Sequence, residues 1–248
     1  MKENNTNKIF EIINPSARGD FVLVCEHASN WIPDALNDLG LNEEARHSHI
    51  AWDIGADAVA RLLSENLDSL LVSSRVSRLV YDCNRSLDAG DAIPARSEIY
   101  AIPGNERLSD SQRTQRFHDY YLPFEDALSG CIESTDGDKA IVSIHSFTPV
   151  YFGQRRTLEV GLIHDTDARL AEQMFELASE FSGLSVALNQ PYSMKDGITH
   201  TINLHGSKNR LANLMIEIRN DLIATESDQI RIARVLSDWL SASLANLN

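Results

Sequence analysis

Apolar residues fall in short runs separated by stretches in which they recur every three or four positions, the signature of buried strands alternating with amphipathic helices. Phe21–Cys25, Leu70–Val72, Leu79–Tyr81, Ala140–Ile144, Leu158–Ile163, Ser185–Leu188, Thr199–Leu204 and Leu214–Ile218 read as strands. Ala51, Ile54, Ala58 and Leu62 predict a helix over 51–67, and Phe117, Tyr121, Phe124 and Leu128 one over 111–131 with a kink or break at Pro123. Another helix follows Asp165 or Thr166, either of which suits its cap, runs to about Phe181 and stops at Gly183. Ile230, Val235, Trp239 and Leu240 mark a last helix from about Asp228. Residues 87–110 have no period and are rich in Gly, Pro, Ser and charge, as in a lid or binding segment. A turn is expected over Thr135-Asp136-Gly137-Asp138. Strands alternating with helices, joined in part by short connections, predict an α/β fold with a mixed central sheet, and no linker divides residues 1–248 into two domains.

Of the 248 residues 43% are hydrophobic and 23% charged, the balance of a folded globule. The formal charge of −14 argues against nucleic-acid or anionic-membrane partners, which need basic surfaces. A small anionic substrate is still compatible, because a pocket holding an arginine and a metal is locally positive. No apolar run is long enough to span a membrane, and Met1–Asn7 lacks the apolar core of a secretory signal. Cys25, Cys83 and Cys131 are far apart and odd in number, which fits a reducing cytoplasm better than a disulfide scaffold.

The chemistry sits where apolar runs end. Arg78-Leu79-Val80-Tyr81-Asp82-Cys83-Asn84-Arg85 closes on an acid, an amide and a guanidinium. The fork of Arg85 suits a carboxylate, with Asn84 adding a donor; the competing reading is an internal Asp82–Arg85 bridge that only fixes the loop. His27 and His145 each follow an apolar strand, and two nitrogens plus a carboxylate make a catalytic zinc site with a position left for water. Asp53, Glu26 and Asn30 are the candidate third ligands, Asp53 standing near the first turn of the 51–67 helix. His49 either supports the site or stands behind it. The competing reading has both histidines bonded to loop backbone. Glu217 is the candidate general base, its alternative being a bridge to Arg219 on the same side of the strand. His205 is placed to donate to a substrate carboxylate or a developing oxyanion. Ser29, Ser146 and Ser193 lack a Gly-x-Ser-x-Gly elbow, and neither Gly-x-Gly-x-x-Gly nor a Walker sequence occurs.

Five segments, FVLVCEHASN (21–30), HIAWDIG (49–55), SRLVYDCNR (77–85), IHSFTP (144–149) and EIRNDL (217–222), together resemble the N-formylglutamate amidohydrolase family over roughly residues 20–240. That family is similar in fold to zinc carboxypeptidases and to deacylases of aspartate and glutamate. The resemblance implies a three-layer α/β sandwich around a mixed sheet, a zinc-activated water, and an Asn-Arg pair that holds a substrate carboxylate. It carries His27 and His145 onto the metal, Asn84 and Arg85 onto the carboxylate, and Glu217 onto proton transfer. Arg78, Arg219 and His205 become secondary contacts. The wider group's His-x-x-Glu is His27-Ala28-Ser29-Asn30 here, so Asp53 is the first choice for third ligand, with Glu26 and His49 as alternates. Glu26 also stands where formylglutamate hydrolases proper would place a proline, which points to a branch with a related N-acyl amino acid substrate. The expected reaction is hydrolysis of an N-acyl acidic amino acid, N-formyl-L-glutamate by default, with Zn2+ or another divalent transition metal. The alternatives are a zinc carboxypeptidase or cell-wall-type amidase with a wider cleft, and a non-catalytic small-molecule binding module.

Overall fold

The computed structural model describes residues 9–135, 137 and 139–247; the polar Met1–Asn7 and the two aspartates of the expected 135–138 turn lie outside them. The elements run β1 (Phe10–Ile13), β2 (Phe21–Cys25), α1 (Glu43–His47), α2 (Ala56–Asn66) and β3 (Leu70–Ser74). A small ribbon of β4 (Arg96–Ser97) and β5 (Tyr100–Ala101) precedes α3 (Asp110–Arg116), α4 (Leu122–Ser134) and β6 (Ala140–Phe147). A second ribbon, β7 (Val150–Tyr151) and β8 (Gln154–Arg155), leads to β9 (Val160–Ile163), α5 (Arg169–Phe181), β10 (Val186–Leu188), β11 (Asn213–Arg219) and α6 (Glu226–Ala245).

One seven-stranded sheet in the order β1-β3-β2-β6-β11-β9-β10 organises the chain. It is mixed: β3, β2, β6 and β11 are parallel neighbours, while β1 pairs with β3, and β9 with β11, in the antiparallel sense. Alternation along the strands supplies two apolar faces. Leu23, Leu71 and Val142 pack with α2, α5 and α6, whereas Val22, Val24, Val72 and Ile141 pack with Phe124, Leu128 and Cys131 of α4. Helices on both faces of a mixed sheet make the three-layer α/β sandwich. No described helix is long and apolar enough to cross a membrane.

Four segments differ from the sequence pattern, each for a local reason. Leu79-Val80-Tyr81 is a turn, not a strand: the chain leaves the sheet at Ser74, and Leu79 and Val80 bury themselves beside Ile32, Leu39, Ile50 and Ile102. Ser77 fixes that turn, its hydroxyl accepting from Leu79 N (3.2 Å) and donating to Ala51 O (2.8 Å). The helix expected from Ala51 begins at Ala56, because Gly55 has φ +82° and breaks the helical path ahead of it. Thr199–Leu204 is helical instead of extended, with Asn203 N donating to Thr199 O and Thr199 Oγ1 to Asp165 Oδ2. That bond, and one from Asn203 Nδ2, occupy the Asp165 carboxylate away from the end of α5, whose N-cap is Ala168. Pro123 does not end the helical run, although the α-helical pattern is broken just ahead of it. It sits in the first turn of α4, just after a π-turn over Phe117–Tyr121 that accommodates its missing donor.

Candidate metal centre and its cavity

The centre is assembled at the carboxyl ends of the parallel strands, where open α/β sheets expose backbone termini and loops to ligands. Glu26 and His27 follow β2 directly. His145 lies within β6, which continues to Phe147, and its partner across the parallel pair with β11 is Glu217. Asp53 arrives from the loop ahead of α2. Its own N–H donates to His27 O (2.9 Å) and its carbonyl accepts from Ala56 N (3.1 Å), so the loop is tied to the end of β2. At Gly55 a Cβ would meet Ile223 O at 2.7 Å, so both space and backbone conformation demand glycine there.

Each histidine is held from behind by a carboxylate. His27 Nε2 donates to Asp82 Oδ1 (2.7 Å) and His145 Nε2 to Glu26 Oε2 (3.1 Å), a direction set by the acceptors, which carry no proton. Both Nδ1 atoms then point inward. His145 Nδ1 lies 2.8 Å from Asp53 Oδ2, and His27 Nδ1 lies 3.4 Å from the same oxygen. One donor atom from each of His27, Asp53 and His145 falls within 4.8 Å of the others, and all three residues are buried. His27 Nδ1 is a buried nitrogen with no hydrogen-bond partner. Two imidazoles and one carboxylate, with each ring oriented by a second carboxylate, fit a zinc-type ion.

Charge around the trio is concentrated and paired. Arg78 reaches Asp53 Oδ1 (3.3 Å) and Asp82 Oδ2 (3.0 Å), so one guanidinium steadies both carboxylates. Burial works against the charged form of Glu26, but the His145 and His27 rings outweigh it and bring its pKa down to about 2. His145 is pushed well above its usual value, since the facing Glu26 and Asp53 charges overcome burial. Glu217 goes the other way. Burial, helped by the Asp53 charge and opposed by His145, raises it to about 7, and its Oε2 is buried without a partner. His27, Asp53, Arg78, Asp82, His145 and Glu217 line a cavity of about 400 Å³ together with Asn84, Arg85, Tyr151 and Tyr192.

The family model for N-formylglutamate amidohydrolases matches residues 19–224. The chain belongs to the N-formylglutamate amidohydrolase family. It is also similar over nearly its whole length to a gene product of Agrobacterium tumefaciens, with 46% identity, 99% of this chain and 98% of that one covered, and a TM-score of 0.95. The N-formylglutamate amidohydrolase of Ralstonia eutropha JMP134 shares the fold at 19% identity, with 95% and 99% covered and a TM-score of 0.63. A succinylglutamate desuccinylase of Chromobacterium violaceum aligns at 16% identity, covering 94% and 64%, with a TM-score of 0.45. A search of curated protein sequences finds no match.

Within this amidohydrolase the residues singled out by sequence are used unequally. Asn84 lines the cavity, yet its amide is spent on the backbone: Nδ2 donates to Ile198 O, and Oδ1 accepts from Thr201 N (3.0 Å). It therefore anchors the 198–201 segment and keeps one Nδ2 hydrogen without a partner among the described residues. Arg85 donates through Nε to Asp91 Oδ2 (2.9 Å) and through Nη1 to Asn84 O (3.1 Å), while Nη2 has no partner among the described residues. The alternative Asp82–Arg85 bridge is not formed, since Asp82 takes Arg78 and His27. Nor is a Glu217–Arg219 bridge. Arg219 lies off the cavity, its Nε on Asp221 Oδ1 (2.7 Å) and its Nη1 on the carbonyls of Arg156, Thr157 and Leu158.

His205 is buried outside the cavity lining, and burial with the neighbouring His200 lowers its pKa to about 4, leaving a neutral packed ring. His49 pairs with Glu98 (2.9 Å) on the cavity wall and is not part of the donor trio. Asn30 bonds Arg46 O and His47 Nδ1 and is likewise outside the cavity lining. Glu26 stands behind His145 and is not in the trio. The ring-orienting place of Asp82 and the cavity positions of Phe147, Tyr151 and Tyr192 escaped the sequence reading. The IHSFTP segment, which carries Phe147 two residues past His145 on the same face of its strand, was the one available signal.

Proposed function

We propose that this amidohydrolase cleaves the amide bond of an N-acylated glutamate, with N-formyl-L-glutamate as the reference substrate, and that residues 1–248 act as one catalytic domain. The observation that carries the reading is the convergence of His27 Nδ1, His145 Nδ1 and Asp53 Oδ2 beside the unpartnered Glu217 carboxylate. Zinc held by those three atoms would supply Lewis acidity for the acyl carbonyl and lower the pKa of water. Glu217, with a pKa raised to about 7, is suited to take a proton from the attacking water and return it to the leaving amine as the C–N bond breaks. Arg85 offers its free Nη2 edge to the substrate carboxylate, and that remote contact is used to orient the amide. Arg78 holds Asp53 and Asp82 in place and so acts through the donor set. A cavity of about 400 Å³ supports a small acylated amino acid over a long peptide. Three free, buried cysteines support a reducing compartment such as the cytoplasm.

The test combines elemental analysis of the purified protein with an assay of N-formyl-L-glutamate hydrolysis. One zinc-type ion per chain and release of formate are expected. Glu217→Gln should keep that ion and lose about a hundredfold or more in kcat. Turnover unaffected by Glu217→Gln, or protein that neither contains nor responds to a divalent metal, overturns the reading.

A further inference from the structure

The cavity has two chemically different walls. One comes from the segment after β3 and carries Arg78 and Arg85; the other begins at the end of β6 with Phe147 and continues to Tyr151, with Tyr192 beside them. In the sheet β3 and β6 flank β2, so these segments leave it about 10 Å apart. The second wall is built from rings locked around one cation. Arg156 lies over the faces of Tyr151 (4.4 Å to the ring centre), Tyr192 (5.2 Å) and Phe147 (5.4 Å). Its Nη1 donates to Tyr192 Oη (3.2 Å) and Thr148 O (3.4 Å), which fixes the guanidinium against the rings. Beyond Tyr151 the exposed Phe152 continues the apolar surface, its ring centre 4.6 Å away in a T-shaped contact.

A formyl group is a single carbon and makes no use of such a wall. N-formylglutamate as a whole has a dozen non-hydrogen atoms, which leaves much of about 400 Å³ unfilled. We propose that the acyl group of the physiological substrate is aromatic, of the benzoyl or phenylacetyl class, and that it seats against Phe147, Tyr151 and Tyr192. This rests on the N-acyl glutamate reading above. Preset rings suit a planar apolar group, because stacked or edge-on ring pairs add to the gain from burial and no side chain has to be ordered on binding. An anionic acyl group such as succinyl would lose hydration of its carboxylate against these rings.

The experiment is calorimetric titration of full-length Glu217→Gln protein, as purified, with N-benzoyl-, N-formyl- and N-succinyl-L-glutamate. The benzoyl compound should bind at least tenfold more tightly than either of the others. Adding Tyr151→Ala should bring it within about twofold of the formyl compound, and Tyr151→Phe should preserve the advantage. Arg156→Gln, a second route that frees the rings without deleting one, should reduce the ratio at least threefold. Equal or weaker binding of the benzoyl compound, no saturable binding of it, or an advantage that survives both Tyr151→Ala and Arg156→Gln overturns the inference. These ratios need no turnover. Failure of the hydrolase reading would instead appear as absence of hydrolysis of every N-acyl glutamate by the unsubstituted protein.

Discussion

At the scale of single residues, the type of a side chain predicts the chemistry it can do but not whether its atoms are free to do it. Asn84 and Arg85 stand side by side in the sequence, yet the amide is tied to Ile198 and Thr201 with one hydrogen to spare, while the guanidinium keeps a whole nitrogen open. Those partners lie more than a hundred residues on, so no local pattern announces them. His205 makes the same point with a measurable consequence. Burial depresses its pKa from 6.5 to about 4, so the unfolded chain binds a proton between those values that the folded one refuses. Stability must therefore fall as pH drops from about 6.5 toward 4, by about 3 kcal/mol at most, and no further below that window on this residue's account. His205→Gln should flatten this part of the stability curve, measured by urea unfolding at fixed pH steps. An unchanged slope would show that the ring is protonated in the native state.

At the scale of elements, legibility follows how much of an element's environment is local. Strands β2, β6 and β11 are continuous apolar runs and were readable, because burial on both faces leaves no other pattern. Leu79-Val80-Tyr81 has the same composition but finds its apolar partners among loops, so composition alone misassigns it. Thr199–Leu204 carries β-branched residues into a helical turn held by Asp165 and Asn84, a tertiary override of propensity. Gly161 shows how tightly elements meet near the cavity. A Cβ there would sit 1.9 Å from Gln190 O and 3.3 Å from the Glu217 Cβ, so β9 approaches both β11 and the segment leading to Tyr192. Gly161→Ala must displace that backbone, and a loss of about 3 kcal/mol is expected, or about 6–12 °C in Tm. Thermal melting within 2 °C of the unsubstituted protein would mean that the contact relaxes freely.

For the molecule as a whole, the sheet brings four acidic groups, Glu26, Asp53, Asp82 and Glu217, into one buried region against Arg78 and two histidines. Buried charge on this scale is costly unless it is paired or binds an ion, and here the pairings surround the point where His27 Nδ1, His145 Nδ1 and Asp53 Oδ2 approach one another. The histidines and Asp53 were readable as candidates, the former from strand ends and Asp53 from the expected first turn of a helix that in fact begins three residues later. The carboxylates behind the rings were not, since Asp82 lies 55 residues from His27 and Glu26 lies 119 residues from His145. An ion at this point would cross-link β2, β6 and the loop before α2, adding to the β2–β6 backbone ladder and the Asp53 N–H to His27 O bond, so its removal should be felt in the stability of the entire fold. Ligand-linked stabilisation at a thousandfold excess over Kd is about 4 kcal/mol. Exhaustive chelation should then lower Tm by about 10 °C. Zinc should restore it and magnesium should not, because two imidazole nitrogens and one carboxylate suit zinc while magnesium prefers a shell of six oxygens. Differential scanning calorimetry of the untreated, chelated and reloaded protein measures this directly. A melting curve indifferent to chelation in protein verified to be metal-free would leave the buried carboxylates to be balanced by Arg78 and histidine protonation, and would remove the ion from the account of both stability and catalysis.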